Sequence, residues 1–154
     1  MKVRVFQPDD LEVILKIFYE NVHKVCQDDY TSLQLDAWAP KDPDVLRWKN
    51  SLEKNYTVVA EMNNHIVGFG NIGGTGYIDR LYVDYQYLGK GIASAILNEL
   101  ENYATKEGVV YMNTSASITA KDFFERKGYI VLKEETVERR GVRLKRYLME
   151  KKLK

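Results

Sequence analysis

Tyr77-Ile-Asp-Arg-Leu-Tyr-Val-Asp-Tyr-Gln-Tyr-Leu-Gly-Lys-Gly-Ile-Ala-Ser94 is the stretch on which the fold turns. Ile78 to Val83 reads as a strand, Gly89 and Gly91 as a tight turn, and Ile92, Ile96, Leu100 and Tyr103 as one apolar helical face. A strand that turns on glycines directly into a helix leaves backbone N–H groups unpaired at the positive end of the helix dipole. Such a turn can cradle an anion, and glycine suits it because a Cβ would hold the backbone away from a phosphate and forbid positive φ.

Upstream, Tyr56 to Met62 and His65 to Ile72 read as a hairpin turning at Asn63-Asn64, residues that tolerate positive φ. The second of these strands spells a dinucleotide fingerprint, Gly68-Phe-Gly70-Asn-Ile-Gly73. That fingerprint needs a helix after it, whereas Gly73 to Gly76 leads into another strand, so these glycines are expected to make a bulge and a hairpin turn. Downstream of the central helix, Val109 to Thr114 forms a strand parallel to Ile78–Val83, because a helical crossover joins them. Ser117 can then cap a helix carrying Ala120, Phe123 and Phe124 that ends before Gly128. Tyr129 to Val137 and Val142 to Met149 are two strands joined around Arg139-Arg140-Gly141, and Lys151 to Lys154 reads as a solvated tail.

At the N-terminus Val3, Val5 and Gln7 alternate with Lys2, Arg4 and Phe6, as in a half-buried strand. Pro8, Asp9 and Asp10 start a helix whose buried face is Leu11, Ile14, Leu15, Phe18, Val22 and Val25, with His23 at its boundary. A short helix from Ser32 to Trp38, a break at Pro40 and Pro43, and a second helix from Asp44 to Lys54 follow. Tyr30, Trp38 and Trp48 in this broken segment are candidates for the wall of a substrate pocket.

At 154 residues the chain is expected to be a single domain, 1–154, with one ordinary core. Charge interrupts every apolar stretch well before the roughly 18 residues of a membrane span, and Met1-Lys2-Val3 runs straight into a strand, which predicts no leader. A net charge of +1 points to neither nucleic acid nor anionic membrane as partner. Cys26 is the lone cysteine and no Cys/His cluster has metal spacing, so a cytoplasmic protein without a metal is expected.

Leu88-Gly89-Lys90-Gly91-Ile92-Ala93, following Val83, resembles motif A of the GCN5-related N-acetyltransferases. Gly91 and Ala93 fill the two small positions of that motif, Leu88 stands where Gln or Arg is usual, and Tyr85 where Pro is common. A second register, from Gln86 to Gly91, places the strand end badly. Ser117-Ile-Thr-Ala120 with Phe124 and Gly128-Tyr129 is similar to motif B, with Ser117 for the usual Asn and Phe124 for the usual Tyr. Ala37-Trp38-Ala39, Tyr77-Ile-Asp79, Ala116 to Lys121 with Phe123 to Arg126, and Val137-Glu-Arg with Gly141 resemble the bacterial YafP-like subgroup.

The resemblance covers nearly the whole chain and implies an α/β (α+β) fold: a mixed sheet of about seven strands with four or five helices, splayed between residues 78–83 and 109–114. It implies acetyl-CoA as cosubstrate and no metal. Leu81, Tyr82 and Val83 would then lie along the pantetheine arm, with the backbone of Leu81 and Val83 pairing to it. Leu88, Gly89, Lys90, Gly91, Ile92, Ala93 and Ser94 would take the pyrophosphate, and Ser117 and Phe124 would flank the coenzyme. The wording Ile78-Asp79-Arg-Leu81 also resembles the aminoglycoside 6′-N-acetyltransferases, in which the aspartate at this place is the proposed base.

Transfer to an amine needs a neutral nitrogen, and freeing the lone pair of a lysine-like amine at pH 7 costs about 4–5 kcal/mol. Asp79 is therefore the candidate base, on the strand face expected to carry Tyr77 and Leu81, with pairing to Arg80 or holding the amine as a cation as its other roles. Phe124 has no proton to give, so Ser117, Tyr82 or water is the candidate acid, unless the thiolate leaves unaided. Tyr30, Trp38 and Asp79 are the candidate substrate contacts. Asp36 and Asp79 suggest a cationic small-molecule amine as acceptor, to a monomer or a homodimer. The alternative is a non-catalytic acyl-CoA-binding sensor.

Overall fold

The computed structural model describes residues 1–154. Seven strands form one sheet: β1 (Lys2–Val5), β2 (Tyr56–Met62), β3 (His65–Ile72), β4 (Tyr77–Val83), β5 (Tyr111–Ser117), β6 (Ile130–Arg139) and β7 (Val142–Lys152). Their order is β1-β2-β3-β4-β5-β7-β6, antiparallel throughout except for the β4–β5 pair. Five α-helices cover it. α1 (Leu11–Val25), α2 (Ser32–Trp38) and α3 (Val45–Lys54) pack on one face, and α4 (Ile92–Lys106) and α5 (Lys121–Arg126) on the other. The expected mixed sheet of about seven strands with four or five helices is the observed architecture, with seven and five. No helix is long and apolar enough to cross a membrane.

Two cores result, one on each face of the sheet. Beneath α4, Ile92, Ile96, Leu97 and Leu100 meet Val58, Val67, Ile78 and Met112. Beneath α1–α3, Ile14, Ile17, Phe18 and Val22 meet Trp48, Leu52, Val59 and Phe69. Gly68 and Gly70 sit in β3 directly under α4, where a Cβ on Gly70 would lie 2.8 Å from Ile96. Their role is thus close approach of helix to sheet. The bulge in that strand falls on Val67, since Ala60 opposes Gly68 while Glu61 opposes Ile66, and the hairpin turn is made by Gly73–Gly76.

Local chemistry sets several boundaries away from the expected ones. Pro8–Asp10 forms a separate 3-10 turn, and its Asp10 carboxylate grips Arg4 at 2.9 and 3.0 Å. Val5 is 57% exposed because β1 is the sheet's edge and only Val3 reaches the core. β5 begins at Tyr111, because Gly108 takes φ 78° and Val109 N–H closes the end of α4 on Ala104 C=O. Ser117 ends β5, and its hydroxyl accepts from Ala120 N–H at 3.0 Å, so it closes the turn before α5 instead of capping the helix itself. The Lys-rich end is no solvated tail: Lys151 and Lys152 belong to β7. Lys151 Nζ holds both Glu101 oxygens at 3.1 and 3.2 Å, beside the Tyr129 hydroxyl donating to Glu101 at 2.7 Å.

His23 is structural, its Nε2 lying 2.8 Å from Ala39 C=O. Cys26 is 3% exposed, and burial pushes its thiol up from its usual range. The folded chain is accordingly expected to resist a colorimetric thiol reagent and to release one equivalent of chromophore only on unfolding. Fast labelling of the native protein would contradict this placement.

Candidate active site

β4 and β5 pair only through Tyr77 with Asn113 and Ile78 with Thr114. On its other side β4 carries a bulge: Ile72 opposes Ile78 and Asn71 opposes Arg80, which leaves Asp79 as the extra residue. A bulge bends its strand and strengthens the twist, and this one comes directly after the last β4–β5 pair, so β4 turns away from β5. Asp84 N–H bonds Val67 C=O at 2.8 Å. Antiparallel alternation then aims the peptide groups of Tyr82 at β3 and those of Leu81 and Val83 into the gap. Asn21 Nδ2 donates to Val83 C=O at 2.7 Å, and Leu81 has no strand partner on that side.

The glycine turn lies at the end of the same strand. Asp84 caps a short 3-10 turn, Tyr85–Tyr87, after which Leu88 to Gly91 lead into α4. Gly89 and Gly91 hold φ of 76° and 78°, with nothing within 4 Å of where a Cβ would stand. They are needed for the backbone conformation, and the space above them is open. The first N–H of this helix to find a carbonyl is that of Ala95, on Gly91 at 3.1 Å. Ile92, Ala93 and Ser94 thus begin the helix with unsatisfied N–H groups. Ile92 offers only its backbone, since its side chain is 1% exposed in the core, whereas Leu88 is 48% exposed.

A cleft of about 680 Å³ crosses the splay. Leu81, Ala116, Ala120 and Phe124 line it on the α4 side and Tyr30, Trp38, Trp48, Asp79, Arg80 and Tyr82 on the α1–α3 side, with Ser117 at the end of β5. The bulge decides which side Asp79 joins. Leu81 points toward α4, whereas Asp79 and Arg80 both reach Ser51 on α3, so the expected sharing of one strand face by Asp79 and Leu81 does not hold. Arg80 Nη1 donates to Ser51 Oγ at 2.6 Å and to Asp79 Oδ2 at 2.9 Å, and the Ser51 hydroxyl donates to Asp79 Oδ2 at 3.4 Å. The Arg80 guanidinium lies 4.0 Å above the Trp48 ring. Burial pulls its pKa down from the ordinary value, and the charge of Asp79 opposes that pull.

Other expected site residues fall as follows. Tyr30 presents its ring to the cleft, but its hydroxyl donates to Lys145 C=O at 2.7 Å and accepts from Ile118 N–H at 2.9 Å. Burial pushes that phenol up to about 12. Tyr82 packs edge-on against Phe18, and burial raises its phenol further still. Phe124 is buried against Phe123 and Tyr129. Asp36 is not part of the cleft: its side chain is 72% exposed, near His23. Arg47 and Ser51, one helical turn apart on α3, and Arg139, Arg140 and Arg146 from the β6–β7 hairpin line the cleft without having been singled out in the sequence. Their one sequence signal is the i, i+4 spacing of Arg47 and Ser51.

The acetyltransferase (GNAT) domain family matches residues 26–152. Over 142 residues the chain is 38% identical to the uncharacterized N-acetyltransferase YafP of Escherichia coli K12, covering 92% of this chain and 89% of that protein. The fold superposes on the GCN5-related N-acetyltransferase from Rhodopseudomonas palustris with a TM-score of 0.96, at 30% identity over 99% of this chain and 95% of that one. PaiA N-acetyltransferase from Thermoplasma acidophilum, in complex with coenzyme A, shares the fold with a TM-score of 0.79 at 18% identity, over 99% and 100% of the two chains. The family match takes in the splay, the glycine turn and both helices that flank them: this chain belongs to the GCN5-related N-acetyltransferase family and is an N-acetyltransferase.

Proposed function

We propose that the protein moves an acetyl group from acetyl-CoA to the primary amine of a small molecule, by direct attack within a ternary complex. The observation that carries this reading is the edge of β4 without a strand partner at Leu81 and Val83, where Asn21 takes only the Val83 C=O, followed by the free N–H groups opening α4. A linear thioester arm ending in a diphosphate complements that pair of features, the arm as an added strand and the diphosphate on the helix start. Leu88 to Ser94 would hold the pyrophosphate through backbone alone. Leu88 brings no side-chain donor, so weaker coenzyme binding is expected, not its loss.

Asp79 takes the amine proton, directly or through one water, as the nitrogen attacks the thioester carbonyl. Ser117 Oγ already accepts the Ala120 N–H, which leaves the serine proton for the departing thiolate. The Tyr30 hydroxyl is committed to the backbone on both sides and keeps a structural part. Tyr30, Trp38 and Trp48 wall the acceptor's side of the cleft.

A calorimetric titration of acetyl-CoA, followed on the same sample by thiol release against a panel of primary amines, tests this reading. Micromolar binding with turnover of at least one amine is expected. No binding would remove the pyrophosphate cradle and the reaction with it.

A further inference from the structure

The cleft as a whole carries a charge opposite to the one a cationic amine would select. Six cationic side chains line the cleft, Arg47, Arg80, Arg139, Arg140, Lys145 and Arg146, against three acidic ones, Asp44, Asp79 and Glu138. Lys145 and Arg146 are paired to Glu134 and Glu135 along the hairpin, at 2.6 and 3.5 Å. Arg47, Arg139 and Arg140 take part in none of the protein's salt bridges. Asp44 is already engaged as the cap of α3, accepting from Arg47 N–H at 3.1 Å.

Arg80 is the fixed member of this group. Its side chain is 17% exposed, its plane rests on Trp48, and all its hydrogen bonds leave from Nη1. Nε and Nη2 are therefore the unused part of its donor fork, the geometry that matches an oxyacid in a bidentate pair. Arg47 stands one helical turn before Ser51, to which Arg80 is bonded, and its charge bears on Arg80 unfavourably. Two guanidinium groups in repulsion beside one carboxylate leave a place for a second anion.

We infer that the acceptor is itself an acid: a small amine whose carboxylate, phosphonate or phosphinate sits on Arg80 and Arg47 and whose nitrogen lies at Asp79. This deepens the reading proposed above and rests on it. The 2.9 Å contact between Arg80 Nη1 and Asp79 Oδ2 limits the spacing. The nitrogen and the oxyacid of the acceptor then meet one guanidinium and the carboxylate beside it, a span suited to a small amino acid or aminophosphonate. The hairpin arginines, Arg139 and Arg140, add attraction at the mouth for an anion entering from solvent. Trp38, Tyr30 and Trp48 then face the substituent on the intervening carbon.

The test compares acids with their carboxamides as acceptors at saturating acetyl-CoA: the standard α-amino acids, β-alanine and aminomethylphosphonate, with 6-aminohexanoate as a spacing control. Amidation lowers the amine pKa and so supplies more of the neutral nucleophile. A preference for the acid would therefore come from recognition and not from reactivity. Expected are a kcat/KM at least tenfold higher for the best acid than for its amide, and little turnover of 6-aminohexanoate. Arg47→Gln should raise the KM for that acid at least fivefold, and Arg80→Lys should do the same while keeping the fold. Equal turnover of acid and amide, turnover of amides alone, or no acid accepted at all would overturn the anion site. Acetyl-CoA binding and turnover of neutral amines in the same assays separate that failure from a failure of the acetyl transfer itself.

Discussion

Replacing Asp79 with Asn is expected to lower turnover at least about tenfold while acetyl-CoA affinity stays within about threefold. The amide keeps the shape of the carboxylate and can still accept the Ser51 hydroxyl that approaches at 3.4 Å. What it loses is the ability to take a proton. Acetyl-CoA affinity should be spared because the bulge turns Asp79 to the α3 side, away from Leu81 on the α4 side. The residual activity of the variant should climb with pH toward the pKa of the acceptor amine, as solvent base replaces the carboxylate. The amide oxygen still accepts from Arg80 Nη1 but no longer competes for it with a negative charge, so an acidic acceptor should bind no more weakly and the loss should appear in kcat, not in KM. Steady-state kinetics across pH, with calorimetry for the coenzyme, checks each part; unchanged turnover would take Asp79 out of the mechanism.

Phe69→Ala is expected to destabilise the protein by about 3–5 kcal/mol, a large share of the ~5–15 kcal/mol that a domain commonly has. Phe69 is fully buried at the floor of the α1–α3 core. Its ring lies 6.2 Å from that of Trp48 and 5.8 Å from that of Tyr82, and Phe18 packs on both of those in turn at 4.8 and 4.9 Å. The three rings that remain cannot close over the missing fourth without moving together, so a cavity remains. The effect should reach the site as well, because Trp48 carries Arg80. Urea unfolding measures the loss, with Val5→Ala as comparison. That residue is 57% exposed and should change stability by less than about 0.5 kcal/mol. Similar losses at both positions would contradict this placement of the core.

The local chemistry of the chain carried most of its architecture. Asn63 and Asn64 do take positive φ, at 54° and 64°, and the flanking strands start and stop where their alternation says. Thr31 and Asp44 cap α2 and α3 through their side chains, which is why those helices were legible despite their short length. Positions fixed by distant partners were not. Lys151 reads as part of a basic tail until Glu101, fifty positions away, is seen to hold it. Asp36 and Asp79 look alike in sequence, but the turn of α2 points one to solvent and the bulge puts the other in the cleft. Nothing in Tyr77 to Val83 marks that bulge, since it arises from the register of β3 against β4. With the bulge went the contact of Asp79 with Ser51 and the part played by Arg47, whereas its pairing with Arg80, adjacent in the chain, was among the roles the sequence offered.

Two leaves, β1–β4 and β5–β7, meet along a spine only two residue pairs long, fastened by the Thr114 hydroxyl donating to Ile78 C=O at 3.0 Å. The spine is not the only tie between them. The Tyr30 hydroxyl, donating to Lys145 C=O at 2.7 Å and accepting from Ile118 N–H at 2.9 Å, and Gln34 Nε2, donating to Arg143 C=O at 2.9 Å, fasten the segment under the first leaf to the second. The width of the slot is thus set by these cross-ties as much as by the sheet: the helical segment is the spacer that keeps two leaves of one sheet apart.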